Sequence, residues 1–101
     1  MARPRIELQR LLESTVGEGV NVYYQAPTKL LFPCVKYERS KIDNDHADNR
    51  PYISTKQYTL TVIYRDPDSD LPDRISQLPS CKHSTKFVAD NLHHDVFTIN
   101  F

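Results

Sequence analysis

The chain has 101 residues, enough for one domain, and its thirteen Lys/Arg against thirteen Asp/Glu leave no formal net charge. That balance excludes a global pull toward DNA or an anionic membrane, and no local stretch is both basic and aromatic. No apolar run approaches the roughly 20 residues of a spanning helix. The opening Met-Ala-Arg-Pro-Arg-Ile-Glu-Leu-Gln-Arg lacks the apolar centre of a secretory signal, so the expected compartment is a cytoplasm. There, Cys34 and Cys81 are expected as free thiols, with Cys34 a small core residue.

Residues 4–16 are predicted helical. Ile6, Leu8, Leu11, Leu12 and Val16 recur at helical spacing, with Arg5, Glu7, Gln9, Arg10 and Glu13 mostly on the other side. Pro4 suits a first turn, and Gly17, one of only two glycines, suits the C-cap. A short strand is expected over 20–24, a turn over 26–29 and a second strand over 32–39. In that second strand Pro33 restricts pairing to a start or an edge. Cys34 and Lys36 alternate there with Val35 and Tyr37. Residues 40–53 hold three Asp and two Asn and few apolar residues, which predicts a long polar loop and the first place for a partner contact.

Residues 56–65 form the strongest strand pattern. Tyr58, Leu60, Val62 and Tyr64 alternate with Gln57, Thr59, Thr61 and Ile63, so the first four share a face. Asp66-Pro67 stops the strand, Ser69 or Asp70 can cap a following helix, and Leu71, Ile75 and Leu78 make its stripe before Pro79. A strand over 82–89, a connection over 90–95 and a strand over 96–101 complete the chain, with Phe97, Ile99 and Phe101 on one face. The expected fold class is α+β, a mostly antiparallel sheet with an N-terminal helix and a second short helix packed on one face.

The residues offer no reaction centre with a defining pattern. His46, His83, His93 and His94 lack the spacing of a zinc site, and adjacent His93 and His94 on a strand would point to opposite faces. Asp43, Asp45 and Asp48 resemble part of a calcium loop, but the loop's glycine and terminal glutamate are missing. The serines sit in no nucleophile elbow, and two glycines cannot make a phosphate loop. No cofactor and no catalytic activity are expected. Six tyrosines are many for so small a core, which favours contact surfaces and self-association.

The strings Phe32-Pro33-Cys34-Val35-Lys36-Tyr37, Ile42-Asp43-Asn44-Asp45-His46-Ala47-Asp48-Asn49, Tyr58-Thr59-Leu60-Thr61-Val62-Ile63, Arg65-Asp66-Pro67-Asp68-Ser69-Asp70 and Ala89-Asp90-Asn91-Leu92-His93-His94-Asp95-Val96-Phe97 follow one another in order. In this the chain resembles the tail terminator or tail completion proteins of long-tailed, non-contractile bacteriophages, over nearly its whole length. The resemblance implies a single tail-terminator-like domain over 1–101 and a small α/β structural protein of the virion, assembled in the bacterial cytoplasm. Its implied partners are itself in a hexameric ring, the tail tube protein it caps and a neck or head-completion protein. DNA would pass through the ring's lumen without sequence-specific recognition. On this reading Arg39, Lys41, Asp43, Asp45, Asp48 and Arg50 are the candidate subunit or tube contact, where mixed charge would set register. Two other readings stand beside it: a head–tail joining or head completion protein of the neck, and a small metal- or nucleic-acid-binding module.

Overall fold

The structure, a computed structural model, describes residues 4–25, 29–47 and 50–101, and over 41–55 the backbone alone. In chain order the elements are α1 (Arg5–Val16), β1 (Asn21–Tyr24), β2 (Cys34–Ala47), β3 (Arg50–Tyr64), α2 (Leu71–Ser76), β4 (Cys81–Ala89) and β5 (Leu92–Asn100). The strands form one sheet in the order β1-β2-β3-β5-β4. Every neighbouring pair is antiparallel except β1 with β2, giving an α+β fold.

Period two decides which side of the sheet is dry. Val35 and Tyr37 of β2, Tyr58, Leu60, Val62 and Tyr64 of β3, and Phe97 and Ile99 of β5 are all buried, and Phe101 joins them beyond the last strand. Leu8, Leu12 and Val16 of α1 and Leu71 and Ile75 of α2 cover this face, at the spacing of one helical stripe. Both helices therefore lie on one side. The last residue is tied down: the Phe101 N–H donates to the Lys56 carbonyl at 2.8 Å.

Polar clasps seat the helices. At the start of α1, Arg5 Nη1 donates to Tyr37 Oη at 2.9 Å, and Tyr37 Oη donates in turn to Gln9 Oε1. The Arg5 guanidinium also lies 4.4 Å from the centre of the Tyr24 ring. At the other end, Gly17 takes φ +78°, and its N–H closes on the Glu13 carbonyl at 3.1 Å. Arg74 of α2 reaches across to donate to the Val16 carbonyl at 3.2 Å while pairing with Asp70 at 3.0 Å. The two helices are thus joined at their ends.

Several expectations change. The long loop expected over 40–53 is instead the continuation of β2 and β3, paired from Lys41↔Gln57 to Ala47↔Arg50 with one register shift between Asp45 and His46. Hairpin pairing that starts from well-buried strands outweighs the weak strand preference of Asp and Asn. The connection expected over 90–95 shrinks to Asp90 and Asn91, because β5 begins at Leu92. Both residues have positive φ, 53° and 61°, the backbone of a two-residue hairpin turn. β1 lies parallel to β2 because so short a strand, about 13 Å, lets the intervening link return to its start before β2 begins. Ile6 falls off the buried stripe and is exposed. Asp70 holds the N-cap position of α2 without a side-chain cap bond, while Ser69 Oγ accepts from the Leu71 N–H at 3.3 Å.

Candidate functional site

Two features remain once the core is accounted for. The first is a two-stranded ribbon. β5 pairs with β3 only over Gln57–Tyr64, and β1 pairs with β2 only over Cys34–Tyr37. Beyond those limits β2 and β3 have each other and no third strand among the described residues. The ribbon runs on for roughly 20 Å at about 3.3 Å per residue. It accounts for the molecule's elongated shape, 51 Å in one direction against 26 and 23 Å in the others.

A shift in register between Arg39 and Lys41 marks where the ribbon leaves the body. There Ser40 Oγ is bonded to the Gln57 carbonyl at 3.0 Å and to Gln57 Oε1 at 3.1 Å. Such a bulge bends a strand and increases its twist. The candidate contact residues are strung along this ribbon and not gathered at one point. Arg39 is exposed at its root opposite Tyr58, and Lys41, Asp43 and Asp45 follow at alternate positions opposite Gln57, Thr55 and Ile53. Arg50 starts the returning arm opposite Ala47, and Asp48 lies outside the described residues.

The second feature is a carboxylate on the apolar face. Asp95 of β5 is 4% exposed and belongs to the same alternating row as Phe97 and Ile99. Tyr64 Oη of β3 donates to Asp95 Oδ2 at 2.6 Å, and His83 Nε2 of β4 donates to Asp95 Oδ1 at 2.9 Å. One buried carboxylate thus ties three adjacent strands together. Burial, the bond to Asp95 and the carboxylate's charge together push the Tyr64 phenol up to about 12. His93 stacks on Tyr64 with ring centres 5.2 Å apart, and its buried Nδ1 has no partner among the described residues. His94 faces the other side and stacks on Phe87 at 4.6 Å, as their adjacency on a strand requires.

Tyr64, His83 and Asp95 line an open cleft of about 430 Å³ between α2 and β4, with Pro67, Pro72, Asp73 and Lys86 on its walls. An Asp–His pair is one part of an acyl-transfer triad, which also needs a hydroxyl held by the histidine's second nitrogen. Among the described residues neither serine of the cleft bonds His83: Ser76 Oγ donates to the Asp73 carbonyl at 2.7 Å, and Ser69 Oγ accepts from the Leu71 N–H at 3.3 Å. What the bonds of this cluster do is join β3, β5 and β4. Its sequence signal is hidden because 90–95 has the composition of a connection. Continuing the Phe97–Ile99–Phe101 alternation back by one step places Asp95 in the apolar row.

Among the described residues no group of three or more His, Cys, Asp or Glu side chains could hold a metal ion, and no helix is long and apolar enough to cross a membrane. Cys34 and Cys81 are free, and burial raises both thiols to about 11, out of the reactive range. Compared with known proteins, the chain matches no protein-family model and no curated protein.

Proposed function

We propose that this chain is a structural protein of a long-tailed bacteriophage virion, forming a ring that caps the tail tube, ends its polymerisation and joins the tail to the neck. The observation that carries this reading is the ribbon. A two-stranded hairpin is marginal in water by itself, because both of its outer edges leave backbone groups unpaired. Here it extends from a body whose own sheet does not reach it. A neighbouring subunit or tube ring supplies what the ribbon lacks.

The strings that carry the likeness to tail terminators also have structural work in this chain. Arg65-Asp66-Pro67-Asp68-Ser69-Asp70 makes the turn from β3 into α2, where Asp66 Oδ1 accepts the Asp68 N–H at 2.9 Å. Ala89-Asp90-Asn91-Leu92 makes the β4–β5 turn. Turns of this kind fix how strands and helix meet, so their joint presence supports a shared architecture more than scattered apolar positions would.

Particles assembled without the chain test the reading. Tubes then overrun their normal length and stay unattached to capsids, and added wild-type protein restores both. Tails of normal length joined to capsids in its absence would contradict a capping role.

A further inference from the structure

On a regular strand, residues 83 and 86 would point to opposite faces. The irregularity between His83 and Thr85 breaks that alternation in β4. His83 stands opposite Phe97 and Lys86 opposite Asp95, two members of the buried row of β5. A bulge of this kind re-aims side chains. Here it sets a histidine and a lysine on the same face, roughly 7 Å apart, the span of two strand residues. Both line the cleft between α2 and β4.

The groups on the two walls have bonding capacity left over. His83 Nε2 donates to Asp95 Oδ1 at 2.9 Å, and the ring meets Phe97 edge-on with centres 5.0 Å apart, so the imidazole is held on two sides. With its proton on Nε2, the neutral imidazole keeps Nδ1 as an acceptor. Lys86 on one wall and Asp73 on the other are exposed, and among the described residues neither forms an ion pair. Pro67, Pro72 and Phe97 supply apolar lining. The volume, about 430 Å³, is that of a small-molecule site. We propose that this cleft binds a small zwitterion, an α-amino acid with an apolar side chain. Lys86 Nζ donates to its carboxylate, His83 Nδ1 and Asp73 accept from its ammonium, and its side chain lies against the two prolines and Phe97. A lone anion meets Asp73 and a lone cation meets Lys86, so opposite charges on the two walls favour a ligand that carries both. The inference does not depend on the ring reading above.

Two-dimensional amide NMR of the full chain, titrated with each of the twenty L-amino acids to about 10 mM, tests it. At least one apolar amino acid gives saturable shifts at amides of β4 and α2. Its N-acetyl and C-amide derivatives each bind about tenfold or more weaker, as for the loss of a charged hydrogen bond. K86A and D73N weaken the free amino acid to the same extent, with spectra that otherwise match wild type. No saturable shift with any amino acid overturns the proposal and leaves the bulge the simpler work of blunting a sheet edge. Derivatives that bind as tightly as the free amino acid, or variants that bind it as tightly as wild type, overturn it too.

Discussion

Asp95 shows how one polar side chain can be kept on an apolar face. Its two oxygens accept from different strands, so the charge is buried with partners. Tyr64→Phe removes one donor and leaves the carboxylate short of a partner, which should lower stability by about 1–3 kcal/mol at neutral pH, read by urea denaturation. The same tyrosine contributes to an alkaline limit. Cys34 and Cys81 are raised by burial from 9.0 to about 11, and Tyr64 is raised from 10.0 to about 12, chiefly by burial. Each folded pKa lies above the unfolded value, so the folded state holds protons that the unfolded chain releases. Stability is complete below about pH 9 and falls as pH rises toward 12. Between pH 10 and 12 the decline should be shallower in Tyr64→Phe than in wild type; parallel declines would show that the phenol does not contribute.

At the scale of elements, strong periodicity was enough where one face is buried. Helix α1, the 58–64 row and the 97–101 row all follow from spacing, because burial on one side selects residues at fixed intervals. The ribbon was hidden because its composition is that of turns, and residue preference loses to pairing that neighbouring strands have already begun. The parallel placement of β1 was hidden too, since four residues carry no mark of strand direction. The β4–β5 turn gives this scale its own test. Asn91 has φ 61°, where a β-carbon is costly and Asn or Gly is favoured. Asn91→Ala should cost about 1–2 kcal/mol and Asn91→Gly little or nothing. Equal losses in thermal unfolding would contradict the turn as described.

For the whole molecule, composition gave little positive sign of what the chain joins. Zero net charge and scattered histidines gave no reason to expect a nucleic-acid groove or a metal centre. The candidate contact residues are recognisable in the sequence as a charged stretch, while their arrangement along a ribbon needed the fold. Contacts between copies and with the tail tube are, on this account, the protein's work, so its place in the particle is the decisive fact. A three-dimensional reconstruction of the junction between tail and neck tests that directly. The account predicts a ring of copies of this chain on the last ring of the tube, each ribbon in contact with the next copy. Density for the chain elsewhere in the particle, or none in it, would contradict the account.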